Sequence, residues 1–232
     1  MAPAEQSHAD LLRQTRLFAG LGAGAIEQLE RRSRVRNYRR GETVFIADEP
    51  GDCLYVVISG LVKVFVSSPR GDDLVLATVG PGDAFGELSI LDGGGRSASA
   101  EAVDAATLLI LDRSNFMELI REHPELVDRL LATLGALVRR LTDQAADLAF
   151  LDMHGRVAKL LLHLSDSVAG GDAPLSDIEI PFNQSDLARM VGASRQTVNQ
   201  ILRGFQATGC ITLSGRRLRI LRPDALQRRA SD

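Results

Sequence analysis

The segment Gly82-Asp83-Ala84-Phe85-Gly86-Glu87-Leu88-Ser89 is followed, nine residues after Glu87, by Arg96-Ser97-Ala98. Gly93-Gly94-Gly95 lies between them. A glycine-rich turn that opens a short helical segment presents free backbone N–H groups, which suit a phosphate. Arg96 adds a planar fork of donors for phosphate oxygens. Glu87 is an acceptor suited to a ribose hydroxyl. A carboxylate facing a phosphate makes sense only beside an arginine. These residue types point to capture of a nucleotide, although a structural Glu87–Arg96 ion pair would account for the same residues.

A second set of side chains lies toward the other end of the chain. Asn183 with Asp186 three residues later has the form of an N-cap with a capping acid. Ser185 to Val191 predicts a short helix with Leu187, Met190 and Val191 inward. Gly192-Ala193-Ser194 predicts a tight turn, and a second helix runs from Arg195 to about Phe205. Its Val198, Ile201 and Leu202 face a core, while Arg195, Gln196, Asn199, Gln200 and Arg203 face out. This is a helix-turn-helix arrangement. A merely solvated helix favours Glu and Lys, whereas Arg, Gln and Asn make bidentate contacts to guanine and adenine edges. Ser194 and Thr197 stand at a helix N-terminus, where hydroxyls and the dipole favour a phosphate. Cys210 to Leu213 and Leu218 to Leu221 predict a β-hairpin around Ser214-Gly215-Arg216-Arg217, a basic wing for a nucleic-acid backbone.

Charge supports that division of labour. The chain has 232 residues and a net charge of −3. From Arg195 onward there are eight arginines and two aspartates, a local balance of +6 that leaves −9 for residues 1–194. Such asymmetry suggests that one end meets a polyanion and the other does not.

The elements that must position these groups follow from periodicity. From about Arg40 to Asp112, Val44-Phe45, Leu54 to Ile58, Val62 to Val66, Leu74 to Val79 and Thr107 to Leu111 read as short strands. Glycines punctuate them about every ten residues, the spacing of an antiparallel sandwich or jelly roll. Arg70-Gly71-Asp72-Asp73 reads as a hairpin turn. Leu11 to Arg31 shows helical periodicity in short pieces. Ser114 is a candidate N-cap for a helix through Glu122, and Pro124 starts a longer one. Along it Val127, Leu130, Leu134, Leu137, Leu141, Gln144 and Leu148 follow the alternating spacing of a coiled-coil seam, with Leu131 and Val138 as a second line. A helix over residues 125–151 is the expected dimer axis. His154-Gly155 breaks the pattern, a helix follows from Arg156 to Ser165, and Ser167 to Pro174 reads as a loop.

Composition excludes several classes. The 45% hydrophobic and 25% charged residues are those of a globular protein. There is no apolar run of the ~18 residues a membrane helix needs and no signal-peptide core between Met1 and Gln14, so a cytoplasmic protein is expected. Cys53 and Cys210 fall in different predicted domains, outside any metal-binding spacing, and read as reduced thiols. His8, His123, His154 and His163 are scattered. No metal set, cofactor or nucleophile–base pair stands out, so no enzymatic activity is expected.

The chain from Leu17 onward resembles the CRP/FNR family, which includes the cyclic-AMP receptor proteins. The resemblance is carried by Phe85 to Ser89 with Arg96-Ser97-Ala98, by Leu148-Ala149-Phe150-Leu151-Asp152 and Gly155-Arg156-Val157-Ala158, and by Val191 to Asn199. It implies an α+β fold: an N-terminal jelly-roll cyclic-nucleotide-binding β-barrel over 1–113, a dimerisation helix and hinge over 114–152, and a winged helix-turn-helix over 153–232. By resemblance, Glu87 holds a ribose hydroxyl and Arg96 a cyclic phosphate, with Gly86, Leu88, Ser97 and Ala98 beside them. Cyclic AMP is the implied effector. Arg195, Gln196 and Gln200 would read bases, Ser194 and Thr197 would hold phosphates, with Asn183, Ser185 and Arg203 also at the DNA. The implied partners are a pseudo-palindromic duplex, a second copy of the chain and, by analogy alone, RNA polymerase at the Ser167 to Pro174 loop. Two positions depart from the pattern. Leu141 and Thr142 stand where cyclic-AMP receptors carry a Thr-Ser pair for adenine, so only Thr142 could reach a base. Gln196 stands where they carry glutamate, which predicts an altered operator position.

Overall fold

The computed structural model describes residues 8–169, 178–179, 182–214 and 217–231. Helices α1 (His8–Gln14) and α2 (Ala23–Arg31) lead into eight strands: β1 (Ser33–Tyr38), β2 (Thr43–Phe45), β3 (Cys53–Ser59), β4 (Val62–Ser67), β5 (Asp73–Val79), β6 (Ala84–Phe85), β7 (Ser99–Ala102) and β8 (Ala106–Asp112). A one-turn helix α3 (Glu87–Asp92) interrupts them after β6. Then come α4 (Arg113–Glu122), α5 (Glu125–Phe150), α6 (Met153–Ala169), the short strand β9 (Ile178–Glu179), α7 (Gln184–Val191), α8 (Arg195–Ala207), β10 (Ile211–Ser214), β11 (Arg217–Ile220) and α9 (Pro223–Arg229). Contacts divide the chain into two units. One runs up to Val66 and resumes over Leu76–Arg139; the other comprises Ser67–Val75 and the chain from Arg140 onward.

The eight strands form two four-stranded sheets, ordered β1-β8-β3-β6 and β2-β7-β4-β5. Every pairing described is antiparallel. That interleaving is a jelly roll, as the strand spacing predicts. Alternation along β3 and β8 divides the apolar residues between two cores, because successive side chains leave a strand on opposite faces. Cys53, Tyr55 and Val57, with Leu108 and Ile110, point between the sheets toward Val62, Val79, Phe85, Ala100 and Ala102. Leu54 and Val56, with Leu109 and Leu111, point the other way. There they meet Leu12, Phe18, Ile26 and Leu29 of the leading helical region, Phe116 and Leu119 of α4, and Leu126 and Leu130 of α5.

Three strands of the barrel escape the periodicity. β1, sequence SRVRNY, exposes four of its six residues yet pairs along its whole length with β8. β7 is built of small residues whose Ala100 and Ala102 are fully buried. β6 is two residues long. α4 begins at Arg113 with Asp112 at its N-cap, two residues before the expected Ser114. His154-Gly155 lies inside the first turn of α6 and does not break it. The Asp152 carboxylate accepts the Gly155 N–H at 2.7 Å, and a Cβ on residue 155 would sit 2.8 Å from the Arg229 carbonyl oxygen. The glycine admits the end of α9, a helix that periodicity did not mark. α6 also continues through Ser167–Ala169, so the first three residues of the expected loop are helical. Residues 170–174 lie outside the described residues.

α5 has 26 residues, ~39 Å at 1.5 Å per residue. Its apolar residues divide in two. Leu126 and Leu130 are buried on the chain's own core, with Leu134 packed against them. Val127, Leu131, Val138, Leu141 and Leu148 are exposed. Of the two expected lines, the one through Leu130 is taken up by the chain's own core, and the exposed line passes through the second, Leu131 and Val138. With half-buried Leu134 and exposed Ala145 it runs 127, 131, 134, 138, 141, 145, 148, which is the alternating four-three spacing of a coiled coil.

The shared sheet makes β8 the most sensitive place in this unit. Leu109→Ala, at a side chain 2% exposed, is expected to cost about 2–5 kcal/mol by transfer and cavity terms, read as a lower urea midpoint with unchanged slope.

Candidate functional site

Arg96 follows the glycine-rich turn and enters the end of the barrel, where it is 3% exposed. A buried guanidinium must be neutralised or hydrogen-bonded. Nη1 donates to the Gly86 carbonyl and to Ser89 Oγ, both at 2.9 Å, and Nη2 donates to the Cys53 carbonyl at 2.9 Å. The Nε–H is buried with no hydrogen-bond partner. Aromatic faces close one side: the guanidinium carbon lies 4.3 Å from the Phe45 ring centre and 5.4 Å from that of Tyr55. Phe45, Tyr55 and Phe85 contact one another at ring separations of 5.3–5.9 Å. Each cation–π contact of this kind stabilises the cation by about 0.5–2 kcal/mol. An orphaned buried donor costs about 1–3 kcal/mol, and an anion beside Nε would remove that cost.

Gly86 makes the arrangement sterically possible. It caps the N-terminus of α3 at φ 81°, a left-handed conformation that L side chains rarely adopt. A Cβ there would also stand 2.8 Å from Arg96 Nη1. Glu87 and Leu88 are half-buried in the first turn of α3, Ser97 is exposed and Ala98 is buried. Of the predicted residues, Gly86 is in direct contact with the Arg96 guanidinium, while Ser97 and Ala98 follow Arg96 in the chain. Thr142 lies in the other unit, on an exposed position of α5. Sequence reasoning missed Ser89, Phe45, Tyr55 and the Cys53 carbonyl as the guanidinium's neighbours. Ser89, three residues after Gly86, carried a usable signal, since one helical turn returns it to the glycine's side.

The Cys53 thiol is 4% exposed. Burial pushes its pKa up to about 12, and hydrogen bonds to the Asp52 and Asp112 carboxylates push the same way. Burial likewise raises Tyr55 to about 12, against the pull of Arg96, so its phenol stays protonated.

In the second unit the helix pair is capped as its sequence predicts. Asn183 Oδ1 accepts from the Ser185 and Asp186 N–H groups at 2.8 and 3.1 Å, and Asp186 Oδ2 accepts from the Asn183 N–H at 3.0 Å. Gly192, at φ 67°, turns the chain. Ser194 Oγ accepts from the Thr197 N–H at 3.1 Å and lies 2.8 Å from Thr197 Oγ1. One of these hydroxyls donates to the other, which leaves one proton for an outside acceptor. Val198, Ile201, Leu202 and Phe205 are buried. Arg195, Gln196, Asn199, Gln200 and Arg203 together line one open depression on the opposite face. β10 and β11 form the predicted antiparallel hairpin, and β9 joins the β11 edge. Its tip, Gly215-Arg216, lies outside the described residues. No helix among the described residues is long and apolar enough to cross a membrane.

Residues 35–123 match the family described as cyclic nucleotide-binding domain, and residues 155–229 match the Crp-like helix-turn-helix domain. A Mycobacterium tuberculosis protein named CRP-like cAMP-activated global transcriptional regulator is 38% identical over 221 residues, covering 95% of this chain and 99% of that protein. The cyclic AMP receptor protein of Thermus thermophilus is 36% identical over 197 residues, 85% of this chain and 88% of its own. Among solved structures, a Xanthomonas campestris regulator, titled the c-di-GMP responsive global regulator CLP, superposes with a TM-score of 0.76 at 26% identity, covering 86% of this chain and 99% of that one. The barrel and the winged helix-turn-helix define a ligand-binding regulator of transcription. The chain belongs to the CRP/FNR family.

The Cys53 environment makes a titration prediction. The unfolded chain ionises this thiol near its ordinary value of 9.0, and the folded chain retains the proton to about 12. The unfolded state then binds fewer protons across that window, so stability falls as pH rises from about 9 to 12. At pH 8 a thiol reagent is expected to leave Cys53 unlabelled in the native protein and to label it in urea, read by mass spectrometry.

Proposed function

We propose that this chain is a cytoplasmic homodimeric regulator whose affinity for a pseudo-palindromic DNA operator is set by a cyclic nucleotide, with cyclic AMP as the effector. The observation that carries this reading is the buried Arg96 guanidinium with an unpartnered Nε–H. It is a fixed positive charge in a low-dielectric site, already aimed by three protein acceptors, with a donor left over for an anion. In this reading Arg96 takes the cyclic phosphate, with Ser97 and the Gly86 backbone beside it. Glu87 accepts from the ribose hydroxyl, Leu88 and Ala98 supply apolar contact, and Thr142 reaches the base. The names of the mycobacterial and Thermus relatives support cyclic AMP over other nucleotides.

The two recognition helices of the dimer would enter successive major grooves about 34 Å apart. Arg195, Gln196, Gln200 and Arg203 would meet base edges, and Ser194 and Thr197 phosphates. Asn183 and Ser185, at the start of α7, would lie over the backbone. The dimer axis is the exposed α5 line through Val127, Leu131, Val138, Leu141 and Leu148. Its two-position repeat suits a second copy of the same helix. RNA polymerase is the partner proposed, by analogy alone, for the stretch Ser167 to Pro174.

One observation favours a second reading. Three of the five Arg96 N–H groups are satisfied by the protein itself, so the arginine holds its place without a ligand. A regulator with a purely structural Arg96 would bind DNA constitutively.

Titration calorimetry with cyclic AMP and cyclic GMP separates the two. Saturable heat with cyclic AMP is expected, along with its loss in Arg96→Leu at unchanged circular dichroism. No heat with either nucleotide would leave the constitutive reading. Linkage requires operator DNA to tighten effector binding by the same factor by which effector tightens DNA binding, typically about 5- to 150-fold. For the dimer, Leu131→Glu with Val138→Glu is expected to shift the sedimentation mass to that of one chain. A mass of two chains in this variant would move the interface elsewhere.

A further inference from the structure

α8 contains no aspartate or glutamate in its thirteen residues. On one face stand three amides, Gln196, Asn199 and Gln200, bounded along the helix by Arg195 and Arg203. All five line one depression. The chemistry of this set is narrow. Arginine offers only donors and forks onto guanine O6 and N7. A carboxamide offers one acceptor and two donors, which match adenine N6 and N7 bidentately. Cytosine presents a lone N4 donor in the major groove, and the partner that suits it is an acceptor-only carboxylate. No such group stands on this helix. An amide oxygen can meet cytosine N4, but its N–H2 then has no base acceptor on the same edge.

Spacing sets the extent of the face. Arg195 and Arg203 are eight residues apart, ~12 Å along the axis. At 3.4 Å per base pair this is about three or four pairs of a duplex. Residues at i, i+1, i+4, i+5 and i+8 share one side of a helix. Residues 195, 196, 199, 200 and 203 follow that series. The hydroxyl pair Ser194–Thr197 adds no base preference, because a hydroxyl both donates and accepts and so meets either kind of base edge.

We infer that the amide-bearing face of α8 reads adenines between flanking guanines within each half-site, and that Gln196 selects adenine against cytosine at one defined position. This rests on the DNA-binding reading proposed above and specifies its target. The reading strand is set by how the helix enters the groove. The base preference at each contacted pair is set by the side-chain chemistry.

The test is selection from a randomised duplex library, using the full chain with cyclic AMP present, followed by affinity measurement on single-base variants of the enriched site. The native protein is expected to favour adenine over cytosine at one symmetric position by about tenfold or more. Gln196→Glu, an exposed substitution in the first turn, is expected to move that one position to cytosine and leave the others unchanged. Gln196→Ala is expected to flatten it. A native preference for cytosine there, or a Gln196→Glu motif identical to the native one, would overturn the inference while leaving DNA binding intact. Enrichment of no motif by any of the three proteins would overturn the DNA-binding reading itself, and this one with it.

Discussion

A single charge organises the barrel. The Arg96 guanidinium sits where water cannot solvate it, and every neighbour reflects that constraint. Two backbone carbonyls and a serine hydroxyl take three of its protons, and Phe45 and Tyr55 present π faces to it. Gly86 is left without a side chain because a Cβ would collide with it. The sheet that carries Cys53 and Tyr55 packs its other face on α4 and α5 through Leu54, Val56, Leu109 and Leu111. The Nε–H remains buried without a hydrogen-bond partner, and it is on this donor that the proposed capture of an anion rests.

The second unit follows a different logic. Its chemistry is on the outside, and the interior exists to present it. The capping box at Asn183 and the left-handed Gly192 place α7 and α8 at a fixed angle, and four buried apolar residues hold α8 by one face only. The opposite face is therefore free to carry side chains chosen for hydrogen bonding. The absence of acid from α8 is as informative as the presence of arginine. A solvated helix gains from mixed charge, while a helix facing phosphates and purine edges loses from carboxylates. The long helix α5 has a divided role. Its Leu126 and Leu130 are buried in its own core, and the apolar line through Val127, Leu131, Val138, Leu141 and Leu148 is exposed.

Local chemistry was legible wherever a residue's role depends on its near neighbours in sequence. The jelly-roll strands β3, β4, β5 and β8 show as runs of β-branched and apolar residues between glycines. The Asn183–Asp186 cap and the inward and outward faces of α8 follow from a 3.6-residue period alone. Roles that depend on long-range packing were less visible. β1 is charged and largely exposed, and only its pairing with β8 makes it a strand. Gly155 looked like a helix breaker because its reason for being glycine, the Arg229 carbonyl, lies 74 residues away in the chain. In α5 periodicity marked both the Leu130 line and the Leu131–Val138 line, but it could not tell which of them the chain's own barrel buries.

The sequence by itself determined the residue types at both sites, the succession of barrel, long helix and helix pair, and the hydrogen-bonding character of the exposed face of α8. These follow from side-chain chemistry and from the periods of strand and helix. Only the tertiary structure decided which acceptors surround Arg96, that its Nε is left without one, and which stripe of α5 is exposed. Each of those depends on distances between segments far apart in the chain, and hydrogen bonding and burial act through distance in space.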